Sequence, residues 1–440
     1  MMADDLGYGD TGFNGSQIIQ TPNLDKMAKE GTNFTHFYAS GPVCSPTRGS
    51  FLTGRHYYRF GIFNANMGHL PEHEWTIAKM LKKEGYVTGH FGKWHLGTLD
   101  KAVSAKGPTR KPKENFAPPW LRDYDETFVT ESAVTTWNPG VGRRAINNPF
   151  YHNGNVIAQN DPALKGGASR VVMDKAIPFI KEAVKNDHPF LAIIWFHAPH
   201  EDIEAGPEYL AKYSDLGEKA HYYGAVTELD EQVGRVRKLL KSLDVEDETL
   251  VLFTSDNGPE KMVGNRKRRA GETGGLRDRK RSLYEGGVRV PTVAVWPNKI
   301  ATAQVNDKAM STLDLLPTVG YLTSAKTPRN IVLDGENVWP LMVNQDFKRS
   351  TAIPFFTNKV GTLVDKKWKL MAFHNGKREL YDLSSDWNES NNVIKKHPQL
   401  AEQMFQILKS KYFEFKADFA QMPNKTTKWR LMPQFEHGVK

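Results

Sequence analysis

Short apolar runs in this sequence are followed at once by polar side chains that could bind a metal ion. Asp4 and Asp5 follow the first short run. Asp256 and Asn257 follow the run at residues 249–254. If these runs are parallel strands, their carboxyl ends meet at one edge of a sheet, which is where ligands bind in open sheets. Either pair alone is as typical of a turn, but together these side chains predict a site for calcium or magnesium.

The one cysteine of the chain, Cys44, lies in the segment CSPTR at residues 44–48. The segment predicts a short helix that begins at Cys44, and free N–H groups and the helix dipole stabilise anions at such a helix start. Arg48, one turn further on, could hold an anion or orient the group at position 44. An inert buried thiol is the commoner fate of a lone cysteine, but the proline and the polar setting favour a chemical role.

Four more polar residues follow the apolar runs at residues 86–91 and 190–196. They are Lys93, His95, His197 and His200. Histidine transfers protons near neutral pH because its reference pKa lies there. A single histidine at a strand end is ordinarily a packed or surface residue. If the sheet forms, however, these groups converge on the edge that holds the predicted cation site.

The elements that must position these residues alternate along the first three-quarters of the chain. Apolar runs that predict buried strands alternate with amphipathic stretches that predict helices. This favours an α/β fold with a mainly parallel central sheet flanked by helices. The predicted strands are residues 86–91, 190–196 and 249–254, and the predicted helices are residues 76–84, 169–184, 220–242 and one that opens at Pro22.

Two stretches lack this alternation, and the pattern changes after about residue 345. Residues 100–160 are rich in Pro, Gly, Arg and Lys and predict insertion loops, and residues 259–281 predict a Gly- and Arg-rich loop. Further on, short strands precede a helix at residues 398–411. We therefore expect a catalytic domain at residues 1–344. A smaller α+β subdomain with a four-stranded antiparallel sheet is expected at residues 345–440.

Composition and charge limit the functional classes. With 440 residues the chain can form one large and one smaller unit. One cysteine excludes an intramolecular disulfide, and no apolar run has membrane-spanning length. The formal net charge of +9 favours an anionic partner, such as nucleic acid, an acidic membrane or an acidic polysaccharide. Residues 1–5 look like the end of a buried strand, so we expect a largely missing first strand and any signal peptide upstream.

Several motifs, in order along the chain, resemble those of type I, formylglycine-dependent sulfatases of the alkaline phosphatase-like superfamily. The segment CSPTR, followed by Thr53 and Gly54, is similar to the family signature whose cysteine is oxidised to formylglycine. The other similar motifs are ADDLGYGD at residues 3–10, GKWHLG at 92–97, APH at 198–200, SDNG at 255–258, Lys280 ahead of YEGGVRVP at 284–291, and LYDL at 380–383. The resemblance thus covers most of the chain.

This resemblance implies a role for each matching residue. The ligands of a calcium ion, or of magnesium, would be Asp4, Asp5, Asp256, Asn257 and the hydrated aldehyde formed from Cys44. Lys93 would bind the sulfate oxygens, and Arg48 would polarise the hydrate. His95 would act as the base, and His200 with Lys280 would donate a proton to the leaving oxygen. The family also implies a formylglycine-generating maturation enzyme as partner and a periplasmic or secreted location.

The substrate is the least determined part of this interpretation. Basic charge and overall sequence character favour a sulfated poly- or oligosaccharide. Ulvan, with its sulfated rhamnose, is the leading hypothesis, and carrageenan, fucoidan or a glycosaminoglycan are alternatives. Candidate sugar contacts are Asn64, Asn66, His69, Arg143, Arg144, His197, Arg268 and Arg269, with Trp120 and Trp137 as a further platform. His197 could equally be structural, and charged loop residues are as often simply solvated.

Two other functions stay open at this point. The same nucleophile could hydrolyse a phosphonate or a phosphodiester, and a comparison of aryl sulfate with phosphate diester hydrolysis would distinguish them. A non-catalytic polyanion-binding protein would use the positive charge without turnover. No motif that reads nucleic acid is recognisable, so neither a nucleic acid nor a membrane is expected as a partner.

Overall fold

A ten-stranded mixed sheet forms the centre of the protein, and a four-stranded antiparallel sheet lies in its C-terminal part. The computed structural model describes residues 1–436, apart from the side chain of Arg143. Within those residues the strands are β1 (Met2–Ala3), β2 (Thr32–Phe34), β3 (Phe37–Tyr38), β4 (Val87–Lys93), β5 (Glu126–Thr130), β6 (Tyr151–His152), β7 (Asn155–Val156), β8 (Phe190–Trp195), β9 (Val251–Ser255), β10 (Val293–Val295), β11 (Gln304–Asn306), β12 (Met310–Ser311), β13 (Ile353–Phe356), β14 (Val360–Asp365), β15 (Trp368–Phe373) and β16 (Arg378–Asp382). The α-helices are α1 (Pro22–Glu30), α2 (Cys44–Thr53), α3 (Ile77–Lys83), α4 (Arg143–Asn147), α5 (Ala168–Lys185), α6 (Pro207–Leu210), α7 (Lys219–Ser242), α8 (Glu285–Val288), α9 (Leu315–Thr323), α10 (Trp339–Met342), α11 (Pro398–Gln421) and α12 (Pro433–Glu436).

The centre of the large sheet is parallel. Its strand order is β11-β2-β10-β9-β1-β8-β4-β5-β6-β7. Strand β1 lies between β8 and β9, so that Met2 pairs with both Trp195 and Thr254, and β4 pairs in parallel with β8 and β5. Antiparallel pairing is confined to the contacts of β10 and of β6. The predicted mainly parallel α/β fold is confirmed.

Helices cover both faces of this sheet because strand residues alternate between two apolar cores. Ile193 belongs to the core under α2, α3 and α9, whereas its neighbour Ile194 belongs to the core under α5 and α7. The helix predicted at residues 220–242 is confirmed as α7. The apolar residues that predicted it are all buried: Val226, Leu229, Val233, Val236 and Leu240.

The interpretation of residues 100–160 as insertion loops is wrong in part. The stretch contains β5, β6 and β7, and β5 pairs in register with β4, from Gly89 with Glu126 to Lys93 with Thr130. Prolines, glycines and charged residues on either side conceal the short run ETFVT in the sequence. The strand forms because Phe128 and Val129 are buried on opposite faces of the sheet.

The C-terminal part is the predicted four-stranded antiparallel sheet, β13-β14-β15-β16, covered by α11. The helix predicted at residues 398–411 extends to Gln421, because Tyr412, Phe415 and Phe419 continue its buried side. Phe356 of β13 and Phe415 share one core with Leu52 of α2. The two sheets are therefore joined by a common apolar core, and the boundary at residues 344 and 345 stays a prediction.

Among the helices of residues 1–436, none combines the length and the apolar character that a membrane span requires.

Candidate active site

The carboxyl ends of four neighbouring strands bring the predicted residues together. Asp4 and Asp5 follow β1, and Asp256 follows β9. The Asp5 amide donates to Asp256 Oδ1 at 3.2 Å, and Asp5 has a left-handed φ of 67°. Lys93, predicted to follow a strand, is the last residue of β4 and still reaches the same edge, where its Nζ donates to Asp4 Oδ2 at 2.7 Å.

The oxygen-bearing side chains fit a divalent cation. Four possible ligand atoms lie within 4.8 Å of one another, one from each of Asp4, Asp5, Cys44 and His200. Asn257 Oδ1 is buried without a hydrogen-bond partner among the described residues, while its Nδ2 donates to Asp5 Oδ1 at 2.8 Å. A bare amide oxygen beside two buried carboxylates is the donor set that calcium or magnesium prefers.

Asp256 is placed differently from the other proposed ligands. Arg48 engages its Oδ2 with two donors, Nε at 3.0 Å and Nη2 at 2.7 Å. Its remaining oxygen, Oδ1, accepts the Asp5 amide. The structure thus brings His200 into the group of close ligand atoms instead of Asp256, and a ligand role for Asp256 stays a prediction.

Three buried carboxylates of the site, those of Asp4, Asp5 and Asp256, each contact a buried cation. Lys280 Nζ lies 2.6 and 2.7 Å from the two oxygens of Asp5, Lys93 contacts Asp4, and Arg48 contacts Asp256. Such pairing is what makes buried charges tolerable. Burial raises the pKa of Asp5, but the charges of Lys280 and Lys93 outweigh it and hold that pKa below its usual range.

The predicted helix at Cys44 is confirmed as α2, which begins at Cys44 after an extended Val43. The thiol is buried and lies 3.5 Å from Asp4 Oδ1. Burial, aided by the charge of Asp256, raises the pKa of Cys44 to about 12. Because the thiolate is the nucleophilic form, an unmodified Cys44 would be unreactive at neutral pH.

The two predicted acid–base histidines both lie at the site in neutral form. Burial lowers the pKa of His95 and of His200 well below the usual value. His95 Nε2 pairs with Asn66 Oδ1 at 2.7 Å, which leaves Nδ1 without a partner among the described residues. His200 pairs through Nδ1 with the carbonyl of Glu201, and its Nε2 lies 3.8 Å from Asp5 Oδ2.

His197 differs from these two histidines. It is fully buried, and within residues 1–436 neither ring nitrogen has a hydrogen-bond partner. Its ring packs edge-on against Phe150, and burial lowers its pKa well below the usual value. This packing favours a structural role for His197 over a sugar contact.

The candidate sugar contacts are scattered. Asn64 is exposed and lines a cavity of about 560 Å³ together with Val43, Lys280 and Arg281. Asn66 bonds His95 and therefore acts within the site. By contrast, His69 lies between Asn115 and Thr426, Arg144 pairs with Asp202, Arg268 pairs with Glu218 and Arg269 pairs with Glu201. The side chain of Arg143 lies outside the described part of the chain.

Trp195 is a site residue that the sequence did not reveal. It ends β8, and the Arg48 guanidinium lies over its ring at 4.9 Å from the centroid. This contact and the bonds to Asp256 fix the orientation of Arg48 beside position 44. An aromatic residue that ends an apolar strand looks like any core residue, so no signal in the sequence could have distinguished it.

Two family models match the chain. The Sulfatase model matches residues 1–325, and the model of the N-sulphoglucosamine sulphohydrolase C-terminal region matches residues 271–418. The chain is 36% identical to arylsulfatase A of Homo sapiens over 354 residues, which is 78% of this chain and 67% of that protein. It is 31% identical to N-acetylgalactosamine-6-sulfatase of Sus scrofa over 383 residues, which is 83% of this chain and 68% of that protein. It thus spans about two thirds of the length of these relatives.

Solved structures share the whole architecture. The crystal structure of Ps i-CgsB superposes with a TM-score of 0.80 and 27% identity, over 97% of this chain and 94% of that one. The same protein has been solved in complex with k-i-k-neocarrahexaose, with the same TM-score and coverage.

Proposed function

We propose that this chain, which belongs to the sulfatase family and is a sulfuric ester hydrolase, removes sulfate from a sulfated polysaccharide or its oligosaccharides. The observation that carries the proposal is the setting of position 44. It lies at the start of α2, beside the buried pairs of Asp4 with Lys93 and of Asp5 with Lys280. A helix start, two ammonium groups and a cation site together favour an anionic ester at this point.

The nucleophile in this proposal is formylglycine, made from Cys44 by a maturation enzyme. The hydrated aldehyde supplies one hydroxyl to attack sulfur and a second to expel sulfate. A thiol whose pKa is about 12 supplies neither. Arg48, held by Asp256 and by the carbonyl of Lys93 at 3.2 Å, would orient the group at position 44.

The proposed metal is calcium, with magnesium as the alternative. Asp4, Asp5 and Asn257 would hold it, with Asp256 as a further ligand, and the ion would supply positive charge next to the sulfate group. Lys93 and Lys280 would bind sulfate oxygens and stabilise negative charge as it moves to the leaving oxygen.

The hydrogen bonds of His95 and His200 indicate which ring nitrogen of each carries the proton, and so which one can transfer a proton. Asn66 Oδ1 accepts a hydrogen bond, so neutral His95 carries its proton on Nε2 and its bare Nδ1 can accept one. His200 donates through Nδ1 to the carbonyl of Glu201, so Nε2 faces the site. Once protonated there, His200 would deliver a proton to the departing alcohol, with Lys280 beside it.

The similar proteins favour particular sugars. Ps i-CgsB binds k-i-k-neocarrahexaose, and the relative of Sus scrofa is an N-acetylgalactosamine-6-sulfatase. The saccharides bound or hydrolysed by these two proteins support carrageenan or glycosaminoglycan fragments as substrates of this chain. Ulvan remains the prediction drawn from sequence character alone, and a periplasmic or secreted location suits a substrate of this kind.

Sulfate release from defined sulfated oligosaccharides tests the proposal. The panel would contain carrageenan, ulvan, fucoidan and glycosaminoglycan fragments, with 4-nitrophenyl sulfate and a phosphate diester as small substrates. We expect sulfate release from one saccharide class and none by the Cys44→Ala protein, with Cys44 conversion measured by mass spectrometry. Faster phosphate diester hydrolysis by fully converted protein would contradict the sulfatase assignment, and turnover by the Cys44→Ala protein would exclude the proposed nucleophile.

A further inference from the structure

A second cavity lies on the His200 side of the site. Its volume is about 670 Å³, and its lining includes Trp137, Asn138, Arg144, Asn147 and Asp202. Small-molecule sites have volumes of about 300–1,000 Å³, so this cavity can accept a ligand. An indole ring beside two amides and a carboxylate offers the stacking surface and hydrogen bonds that a sugar ring uses.

This cavity is joined directly to the loop that carries His200. Arg144 Nη1 donates to the carbonyl of Glu201 at 2.6 Å, the same carbonyl that accepts the proton of His200 Nδ1. Arg144 also pairs with Asp202 at 3.0 Å. A ligand in the cavity would therefore contact Arg144, which shares a hydrogen-bond acceptor with the residue proposed to protonate the leaving alcohol.

Another part of the lining is joined to the loop that carries His95. Ala105 lines the cavity, and its amide donates to Glu131 Oε2 at 3.2 Å. Ser104 Oγ donates to Glu131 Oε1 at 2.6 Å, and the carbonyl of Glu131 accepts the His95 amide at 2.9 Å. The lining of the cavity is thus joined by hydrogen bonds to the loops of both histidines that are proposed to transfer protons.

Lys106, the next residue after Ala105, has mainly cationic neighbours: burial, Lys93 and Arg144 lower its pKa, and Glu131 opposes them only in part. Its side chain makes no hydrogen bond or ion pair with any residue of the described chain. Lys93 belongs to the site and Arg144 to the cavity lining, so Lys106 lies near both. Like charges gathered in this way favour an additional anion beside them.

We propose that this cavity binds the sugar ring next to the sulfated ring, and that Lys106 binds a second anionic group of the substrate, a sulfate or a carboxylate. The inference rests on the proposed function, because it assumes that a sulfated saccharide enters the site. It assigns the cavity to substrate specificity and leaves the hydrolysis of sulfate to the residues around position 44.

Two variants and a matched control test the inference. Lys106→Met removes the charge and keeps the length of the side chain. Asn147→Ala removes an exposed cavity amide that makes no hydrogen bond to the described residues. Lys113→Met is the control, because Lys113 is an exposed lysine of the same stretch, outside the cavity lining and without a side-chain partner in the described chain.

The kinetics would compare a disulfated oligosaccharide, its monosulfated counterpart and 4-nitrophenyl sulfate. We expect Lys106→Met to lower kcat/KM at least tenfold for the disulfated substrate, mainly through KM, and less than threefold for the monosulfated one. Asn147→Ala should lower kcat/KM more for the two saccharides than for 4-nitrophenyl sulfate. Lys113→Met should match the unsubstituted protein on all three substrates.

Equal losses on the two saccharides would refute the role of Lys106, and an unaffected Asn147→Ala protein would refute the sugar site. If the protein hydrolyses 4-nitrophenyl sulfate but no saccharide, the proposed function fails. Calorimetry of the disulfated oligosaccharide with the Cys44→Ala protein then tests independently whether the cavity binds a saccharide. Binding that Lys106→Met weakens supports the inference, and an absence of binding overturns it.

Discussion

Lys369 is a buried link between the C-terminal sheet and the loop that carries Lys280. It lies on β15 and is fully buried, with its Nζ 2.8 Å from Glu285 Oε1 and 2.9 Å from Glu389 Oε1. Glu285 is the first residue of α8, five positions after Lys280, and its amide donates to Glu389 Oε2 at 2.6 Å. We predict that Lys369→Met destabilises the protein and disturbs the placement of Lys280.

The size of the effect follows from the charges that remain. The substitution leaves two buried carboxylates near one cation, Arg289, which lies 3.5 Å from Glu285 Oε2. Removal of one partner from a buried ion pair costs about 3–5 kcal/mol. That is a large part of the stability of an ordinary protein, which is about 5–15 kcal/mol.

The effect should depend on pH. Burial raises the pKa of Glu389 to about 7 and Lys369 opposes that rise, so the substitution raises the pKa further. A carboxyl group whose pKa is higher in the folded than in the unfolded state stabilises the fold at low pH, and this contribution is lost as pH rises through the folded value. The loss of stability should therefore be largest near pH 8 and smaller near pH 5.5.

Urea unfolding at both pH values measures this prediction. The double variant Lys369→Met/Glu389→Gln should recover part of the loss at pH 8, because it removes one of the unpaired charges. Lys367→Met is the matched control: Lys367 is a half-exposed lysine of the same hairpin, paired with Asp382 at 2.6 Å, and should contribute less than about 1 kcal/mol. A loss below about 1 kcal/mol for Lys369→Met at pH 8, or an equal loss at both pH values, would refute the reasoning.

Two further predictions concern carboxylates that are buried in different settings. Asp256→Ala should lower the calcium content after dialysis, measured by mass spectrometry, because it removes a proposed ligand; unchanged content would take Asp256 out of the ligand set. Burial raises the pKa of Glu228 to about 7, so the protonated side chain stabilises the fold at low pH and this contribution is lost as pH rises through 7. Glu228→Gln should therefore raise the unfolding temperature at pH 8 but not at pH 5. An equal shift at both pH values would contradict the second prediction.

The composition of the site was predictable because strand ends are visible in a sequence. Asp4, Asp256 and His200 each follow an apolar run, and a parallel sheet must bring such positions to one edge. The pairings were not predictable. Lys93 with Asp4 and Lys280 with Asp5 join residues 89 and 275 positions apart, and nothing local in the sequence specifies either contact.

Local composition also explains the parts of the fold that the sequence concealed. Strand β5 is five residues long, and its only strong signal is Phe128 with Val129 amid polar residues. It is stable because β4 supplies a complete hydrogen-bonding edge beside it. The end of α11 was hidden in another way, since Lys409, Lys411 and Lys416 mask the apolar side that Phe415 and Phe419 continue.

The balance of charge in the site implies that cation and substrate binding are linked. Lys93 and Lys280 are each paired with a carboxylate, Asp4 and Asp5, so neither ammonium is free to bind a sulfate ester. If Asp4 and Asp5 hold a divalent cation, the two lysines lose part of that attraction and become available to an anion.

A sulfated ligand should therefore bind more tightly when calcium is present, and by linkage the ligand should strengthen calcium binding by the same factor. Calorimetry of 4-nitrophenyl sulfate with the Cys44→Ala protein, with calcium and with a chelator, measures this without turnover. Lys113→Met in the same background controls for general charge effects. Equal affinity in the two conditions would mean that the lysines bind sulfate regardless of the metal, and that their pairs with Asp4 and Asp5 serve stability alone.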